Sequence, residues 1–325
     1  VMMLGGVSLE TYNWSSELFG KSLVKYIQRT KHTVQPTSYD SYMKYGIKIA
    51  EYFDMYCIHT NELTPEMIED YYNYIREKSP VTENTVRHYH VLIYKFCRWL
   101  YKRGYRIDNP ADKIDKPKAE KYKAHYYSEE DAKKLIYCVK NKYPQYLTAI
   151  LLALQFGLRR SEVCALKFSD IDFTTNTLTV NGKIVKTKGN ERGKPIYIYS
   201  LKLKSSSSNR TLPFGENFSN YLKSLITKDT QPDDFVFTIG CKSFVKPDRL
   251  TYNFKNILKQ CNLPQIRFHD LRHSCASILI NNDISMKIVQ EWLGHSSFAT
   301  TANLYGHVYY KSKLRCLDTL EKSIF

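Results

Sequence analysis

A basic stretch without hydrophobic periodicity interrupts this chain after its first third and limits the folds that the chain can adopt. The stretch covers residues 115–126 and follows Asn109 and Pro110, a pair that favours a loop. Four of its residues are lysines: Lys116, Lys118, Lys121 and Lys123. Segments of this composition commonly connect domains. We therefore predict a domain at 1–114, a basic linker at 115–126 and a second domain at 127–325 that ends in a tail at 311–325.

The first domain has hydrophobic residues at helical spacing throughout. Thr64 followed by Pro65 is typical of a helix start, and Gly104 is typical of a helix end. The pattern predicts helices at residues 15–29, 37–57, 64–78 and 82–103. We expect these helices to pack into a small bundle.

The last of these predicted helices has an apolar face and a basic face. The apolar face contains Val86, Tyr89, Ile93, Phe96, Cys97 and Leu100. The basic residues lie largely elsewhere and are Arg87, Lys95, Arg98, Lys102 and Arg103. A basic face can lie against phosphate groups, although an ordinary solvated face has the same pattern.

The second domain begins with helices and then changes its hydrophobic period. Ser128 and the acidic residues after it predict one helix start, and a more apolar helix covers Tyr146 to Phe156 and ends at Gly157. Alternating or β-branched residues then predict strands at 176–180, 195–199 and 210–214. Further helices are predicted at 216–227, 250–260, 270–281, 285–293 and 298–306. The predicted fold class is mainly α with a small antiparallel β-insert.

Composition narrows the classes of function. The chain has 325 residues, with 48 Lys and Arg against 32 Asp and Glu, and the resulting net charge of +16 favours a polyanionic partner. A hydrophobic share of 43% argues against a disordered chain, and the apolar runs are far shorter than the roughly 18 residues of a membrane span. We therefore expect a cytoplasmic protein. The eight cysteines contain no Cys-x-x-Cys pair, so we expect reduced core thiols rather than a disulfide framework or a zinc knuckle.

Four separated clusters contain the side chains that chemistry requires: residues 157–162, Lys204, residues 269–273, and residues 293–295 with 305–307. The sequence has no glycine-rich phosphate loop, which argues against nucleotide-driven chemistry. His269 and His273 lack the Glu of a His-Glu-x-x-His motif, so no metal site is expected. Arginine, histidine, lysine and tyrosine together suit a phosphodiester, because cations neutralise the charge that develops on its oxygens and favour an ionised phenol.

The same clusters resemble a known family. They read Gly157-Leu-Arg-Arg-Ser-Glu162, His269-Asp-Leu-Arg-His273, Leu293-Gly-His295 and Tyr305-Gly-His307. They are similar to the signature boxes of the tyrosine recombinases, specifically the integrases of phages and conjugative transposons, and the resemblance spans nearly the whole chain. It implies a helical core-DNA-binding domain, a mixed α/β catalytic domain of the DNA breaking-rejoining type, and site-specific recombination on behalf of a mobile element.

The resemblance also implies a role for each site residue. Arg159 and Arg272 would grip the scissile phosphate, and Glu162 would support Arg159 from behind. His269 would act as a proton shuttle, and His295 would donate to a non-bridging oxygen. Tyr305 would attack and form a 3′-phosphotyrosyl link that stores the bond energy, so that neither ATP, a metal ion nor another cofactor is expected. Arg160 would be a neighbour only, and His273 would be a helix residue satisfied by local hydrogen bonds.

The catalytic lysine is the least constrained of these residues. The family places it in a β-hairpin of variable length, and the available residues are Lys186, Lys188, Lys202 and Lys204. The stretch from Lys204 to Pro213 resembles the family pattern of a lysine, a polar turn and Arg-Thr-hydrophobe-Pro. We therefore choose Lys204 to protonate the leaving 5′ oxygen, with Lys188 as the alternative. Tyr309 and Tyr310 lie beyond the Tyr-x-His pattern that selects Tyr305.

The implied partners are double-stranded DNA, clamped between the two domains, and further copies of the chain in a dimer or tetramer on that DNA. The candidate DNA-binding residues are Arg87, Lys95, Lys116, Lys118, Lys121 and Lys123. The tail at 311–325 would dock on a neighbouring protomer, or alternatively on its own domain. The protein would act on the nucleoid of a bacterium and be encoded by that bacterium or by a phage.

Two other functions remain open at this point. One is a type IB topoisomerase-like enzyme that relaxes supercoils, and the other is a catalytically inert DNA-binding regulator. Integrases of this group often carry an extra N-terminal module for arm-type sites, whereas this chain enters the helical bundle almost at once.

Overall fold

A computed structural model describes residues 12–118, 125–188, 195–201 and 208–296, together with residues 298, 317 and 320–324. The chain divides into two units: the first contains Val1–Tyr122 and Thr187–Lys194, and the second contains Lys123–Lys186 and Pro195–Phe325. The described residues are mainly helical with small β-sheets, which confirms the predicted fold class.

The first unit contains the predicted helices with small changes at their ends. They are α1 (Phe19–Arg29), α2 (Pro36–Met55), α3 (Pro65–Lys78) and α4 (Glu83–Lys102). The Thr64 side chain caps α3 by accepting a hydrogen bond from the backbone N–H of Met67. Gly104 follows α4 with a φ of +73°, a backbone conformation that glycine adopts without steric cost.

The interior of the first unit is rich in aromatic side chains. The ring of Phe96 lies 5.4 Å from that of Phe19 and 6.5 Å from that of Trp14, and all three residues are buried. The six residues predicted for the apolar face of α4 are all buried as well. Lys95, on the other side of α4, is exposed. The amphipathic pattern of α4 therefore describes how the helix packs.

The second unit combines helices with short strands. Its helices are α5 (Glu129–Lys142), α6 (Leu147–Gln155), α7 (Arg160–Val163), α8 (Glu216–Leu225), α9 (Pro247–Gln260), α10 (Asp270–Asn281) and α11 (Met286–Leu293). The strands of this region are β1 (Ile171–Asp172), β2 (Thr177–Val180), β3 (Lys183–Lys188), β4 (Pro195–Ser200) and β5 (Arg210–Pro213). The helix predicted at 298–306 lies outside the described residues except for residue 298.

The strands form two small sheets rather than the single predicted insert. In the first sheet, β2 lies between β1 and β5 and pairs antiparallel with both. Val180 is paired with Arg210, which fixes the start of β5. The second sheet joins β3 and β4. The sequence did not predict β3, since three of its six residues are lysines and these weaken its hydrophobic signal.

Helix α6 lies in the middle of the second unit's core, and its residues 147–154 are all buried. It contacts α5 and α10. At the start of the unit, the backbone N–H of Tyr127 donates to Ser274 on α10, and the Tyr127 hydroxyl donates to the carbonyl of Pro264. Apolar as α6 is, none of the described helices has both the length and the character needed to cross a membrane.

The expectation that the cysteines are reduced is wrong for one pair. Cys138, near the end of α5, and Cys261, directly after α9, form a disulfide with their Cα atoms 6.0 Å apart. These residues are 123 positions apart, and only the packing of the two helices brings them together. Three other cysteines are free and buried as expected, namely Cys97, Cys164 and Cys275. Cys57 and Cys241 are free and exposed.

Candidate active site

Among the described residues, three arginines from distant parts of the second unit meet at the C-terminal end of α11. They donate to three successive carbonyl oxygens: Arg210 Nε to Trp292 (2.9 Å), Arg272 Nη2 to Leu293 (2.7 Å) and Arg159 Nη2 to Gly294 (3.2 Å). The last carbonyls of a helix have no partner within the helix and form the negative end of its dipole. The end of α11 therefore holds three guanidinium groups on consecutive peptide units.

One buried carboxylate, that of Glu162, lies among these arginines. Its Oε1 accepts from Arg159 Nη1 at 2.7 Å, and its Oε2 accepts from Arg210 Nη2 at 3.3 Å and from the backbone N–H of Arg159 at 3.0 Å. Burial raises the pKa of Glu162, but the charges of Arg210 and Arg159 outweigh this effect and hold the pKa below its usual value. Glu162 is therefore ionised and fixes Arg159 from the protein side.

Arg272 is the most buried of the three arginines, with 1% of its surface exposed. Its Nη1 donates to the carbonyl of Gly157 at 2.7 Å, whereas its Nε has no hydrogen-bond partner within the part of the chain that the structure describes. Burial lowers the pKa of Arg272 to about 9, and the charges of Arg159 and Arg210 contribute in the same direction. Three cations therefore face one carboxylate, and the Nε of Arg272 has no partner among the described residues, an arrangement that a bound anion would complete.

Gly157 and Gly294 shape the backbone around Arg272. Gly157 ends α6 with a φ of +59°, and a Cβ atom there would lie 2.3 Å from the side chain of Leu293. Gly294 ends α11 with a φ of +66°. Both positions favour glycine, which allows α11 to approach the end of α6 closely enough for Arg272 to bond to both segments.

The two histidines proposed for catalysis flank the arginines. His269 lies directly before α10, and its ring is nearly perpendicular to that of His273, with the ring centroids 5.1 Å apart. His295 follows the end of α11, and its backbone N–H donates to the carbonyl of Gln290 at 3.0 Å. The charges of Arg159 and Arg272 act on His295, and that of Arg272 acts on His269, so the structure places these residues and Glu162 in one neighbourhood.

The same neighbourhood lowers the pKa of both histidines. For His295, desolvation has the largest effect, and the charges of Arg272 and Arg159 add to it, which brings the pKa to about 3. His269 lies at the surface, yet the protein around it excludes enough water to make desolvation the main cause of its lowered pKa of about 4. Both rings are thus neutral at pH 7 unless an anion binds nearby.

Other residues that the sequence singled out lie elsewhere or outside the described part. Arg160 binds Thr251 at 2.6 Å and Asp248 at 3.4 Å, away from the arginine cluster. Lys186 also pairs with Asp248, at 2.6 Å. Lys188 ends β3, and its side chain is not among those described. Four of the predicted residues lie outside the described ranges: Lys121, Lys123, Lys204 and Tyr305.

The remaining candidates for DNA contact are at or near the surface. Lys95, Lys116 and Lys118 are exposed, and Arg87 is half-buried. Lys95 donates to the hydroxyl of Tyr42 at 2.8 Å. These positions leave the basic groups within reach of a polyanion.

Arg210 is the site residue that sequence reasoning missed. It appeared only as part of the Arg-Thr-Leu-Pro stretch that helped to select Lys204. No local sequence pattern marked it, because its burial beside Glu162 depends on contacts between segments that are far apart in the chain. Within the described residues, no three His, Cys, Asp or Glu side chains group together as metal ligands would.

Two known protein families match parts of this chain. Residues 126–312 match the phage integrase family, and residues 18–119 match the phage integrase SAM-like domain. A XerC-like tyrosine recombinase of Caldanaerobacter subterraneus subsp. tengcongensis is 27% identical over 323 residues, which cover 92% of this chain and 80% of that protein. A tyrosine recombinase of Thermosipho africanus is 30% identical over 241 residues, which cover 73% and 76%.

Solved structures share the fold at lower sequence identity. The integrase of the transposon Tn1549, in complex with a circular intermediate DNA, has a TM-score of 0.75 at 17% identity, covering 93% of this chain and 100% of that one. A lambda integrase dimer bound to a COC′ core site has a TM-score of 0.62 at 18% identity, covering 86% and 95%. The family match and the curated relatives together show that this chain belongs to the phage integrase family, the tyrosine recombinases.

Proposed function

We propose that this chain is a site-specific recombinase that cuts and rejoins DNA strands through a 3′-phosphotyrosyl intermediate on Tyr305. Membership of the tyrosine recombinases gives the class of enzyme. The observation that supports this chemistry most is the meeting of Arg159, Arg272 and His295 at the end of α11, where the Nε of Arg272 has no partner among the described residues. The anion that would complete this cluster is the scissile phosphate.

In this proposal the arginines bind the non-bridging oxygens of the phosphate. Arg159 keeps 27% of its side chain exposed although Glu162 and Gly294 hold it, so its guanidinium can contact a ligand. Charge-assisted hydrogen bonds to a phosphate are among the strongest in proteins, and they strengthen as negative charge develops in the transition state. Burying three cations together is unfavourable in the free protein, but the same three charges attract the phosphate once it is bound.

Histidine and lysine side chains supply the proton transfers. A neutral His269 can accept the phenolic proton of Tyr305 while the Tyr305 oxygen forms its bond to phosphorus. The bond from phosphorus to the 5′ oxygen then breaks, and Lys204, or Lys188 in the alternative, gives its proton to that oxygen. His295 donates to a non-bridging oxygen, since the negative phosphate raises the pKa of a ring that is neutral in the free protein.

The proposed substrate is duplex DNA of a mobile element. The solved relatives with this fold include a transposon integrase on a circular intermediate DNA and a lambda integrase dimer on a core site. We assign core-DNA binding to 1–114, the link along the backbone to 115–126 and catalysis to 127–325. The exposed Leu317, Leu320 and Ile324 in the tail support its docking on a second copy of the chain. The cellular setting would be the bacterial cytoplasm.

The test is trapping of the covalent intermediate. The full chain is incubated with nicked duplexes that span the boundaries of the element carrying the gene, in the presence of EDTA, and the adduct is read by denaturing gel electrophoresis. We expect wild type and Tyr309→Phe to form the adduct and Tyr305→Phe to bind DNA without forming it. An adduct with Tyr305→Phe, or a requirement for magnesium, would contradict the mechanism.

The same assay distinguishes the other two functions. A topoisomerase-like enzyme would form the adduct on unrelated duplexes as well as on the boundary sequences. An inert regulator would bind the duplexes and form no adduct with any of them. We expect the adduct on boundary duplexes and little on a scrambled duplex of the same length.

A further inference from the structure

Arg210 has a different environment from the other two arginines of the cluster. All three of its guanidinium nitrogens donate to protein oxygens: Nε to Trp292 (2.9 Å), Nη1 to the carbonyl of Ser208 (3.1 Å) and Nη2 to Glu162 (3.3 Å). Only 6% of its side chain is exposed, against 27% for Arg159. Arg210 therefore has neither a free nitrogen nor an open approach with which to contact a phosphate.

Arg210 contacts two groups that hold other site residues in place, and the first is the carboxylate of Glu162. The carboxylate of Glu162 that it binds also accepts two hydrogen bonds from Arg159. Without Arg210, one oxygen of this carboxylate would keep only the backbone N–H of Arg159, and Glu162 could rotate away from its position. The orientation of Arg159 therefore depends on Arg210 through Glu162.

Its second contact is with α11, of which two residues, Val289 and Leu293, are buried. The buried residues of its cluster are Cys275, Ala276, Val289 and Leu293. The end of α11 also depends on the hydrogen bonds that its last carbonyls accept from the arginines. His295 follows this end directly, and Tyr305 lies ten residues further along the chain. A contact that fixes the end of α11 therefore also fixes the backbone of His295.

We propose that Arg210 is a positioning residue of the active site, which joins Glu162 to the last turn of α11 and so sets Arg159 and His295 in their mutual geometry. This inference rests on the proposed function, in which those two residues act on one phosphate. Arg210 does not itself touch the phosphate. Arg210 is also the first residue of β5, so it connects that strand to the same site.

The experiment compares Arg210→Ala, Arg210→Lys and wild type in the full chain. Arg160→Ala is the matched control, because it removes an arginine that bonds to Thr251 and Asp248 instead of the cluster. Three quantities are measured: the adduct rate at saturating nicked duplex, the Kd for that duplex, and amide hydrogen exchange in residues 286–296. Thermal unfolding establishes that each variant is folded.

We expect Arg210→Ala to lower the adduct rate about 100-fold, the scale of one lost transition-state contact, with the Kd changed less than about twofold. Exchange in 286–296 should accelerate in this variant and not in Arg160→Ala. Arg210→Lys should recover part of the rate, because lysine keeps the charge but cannot reach three acceptors at once. If Arg210→Ala does not fold, the rate and exchange of Arg210→Lys decide the question.

The proposal is overturned if the Arg210 variants cleave at the wild-type rate, if their loss lies entirely in Kd, or if exchange at the end of α11 is unchanged. Failure of the proposed function has a different signature. In that case wild type and Arg160→Ala would form no adduct either, while the exchange measurement would still report whether Arg210 holds α11.

Discussion

The two units of this protein both have apolar cores, but they differ in the charged side chains that are buried beside those cores. In the first unit, Phe19, Phe53 and Phe96 are fully buried, and the ring of Phe19 contacts the rings of the other two. In the second unit, Arg272 and Arg210 are almost as deeply buried, together with the carboxylate of Glu162. Aromatic burial stabilises a fold directly, whereas burying like charges has a desolvation cost that only good partners or a ligand can offset. We therefore expect the charged cluster to lower stability in exchange for function, and the predictions below test this expectation.

The largest effect should come from removing the deepest of the buried cations. We expect Arg272→Ala to lower the adduct rate at least about 1,000-fold, or about 4 kcal/mol, because both ground-state placement and charge stabilisation are lost. The rate is measured in a single turnover on the nicked duplex, with Arg267→Ala as the control. Arg267 is an exposed arginine that pairs with Asp270 at the start of α10.

Arg272→Ala also tests whether the buried charges of the second unit contribute more to activity than to stability. If Arg272 serves function more than stability, Arg272→Ala should lose far more activity than melting temperature. Arg272→Gln, which keeps an N–H donor for the carbonyl of Gly157, separates loss of charge from loss of that hydrogen bond. A variant that unfolds but cleaves normally when folded would reverse the interpretation.

The second effect concerns the aromatic interior of the first unit. We expect Phe96→Ala to lower the free energy of unfolding of that unit by about 3 kcal/mol, through lost burial and the cavity that remains. Urea unfolding followed by circular dichroism measures this change. In Phe96→Ala, the affinity of the second unit for sulfate, used as a probe for anion binding, should stay the same. The variant Phe96→Leu should retain most of the stability. Equal weakening of sulfate binding would show that the interiors are not independent.

The difference between the interiors also explains how far the sequence could be interpreted. The apolar face of α4 follows from helical periodicity alone, because every residue on it is buried for the same reason. The sequence motifs predicted site residues that the structure places close together, namely Arg159, His269, Arg272 and His295. Arg210, the Cys138–Cys261 disulfide and β3 depend on contacts between segments far apart in the chain, and local patterns contain no signal for such contacts.

The smallest predicted effect is a pH dependence of anion binding at the arginine cluster of the second unit. In the free protein the pKa is about 4 for His269 and about 3 for His295, so both rings are neutral between pH 5 and 8. Sulfate remains a dianion throughout this range, and its charge would raise both pKa values when it binds. Binding then takes up protons, so the affinity for sulfate should increase as the pH falls, by at most about tenfold per pH unit for each proton.

Stability without sulfate should change in the opposite direction. Because the folded pKa values lie below the ordinary histidine value of about 6.5, the unfolded chain binds more protons, and the folded state loses stability as the pH falls below that value. Calorimetric titration with sulfate at pH 5.5, 6.5 and 7.5 measures the first effect, and thermal unfolding measures the second. His269→Gln should weaken both pH dependences, whereas His88→Gln, at an exposed residue of the first unit, should leave them intact. If the affinity of the wild type for sulfate did not depend on pH, these rings would not face the bound anion. That result would contradict the proposed catalytic role of His269.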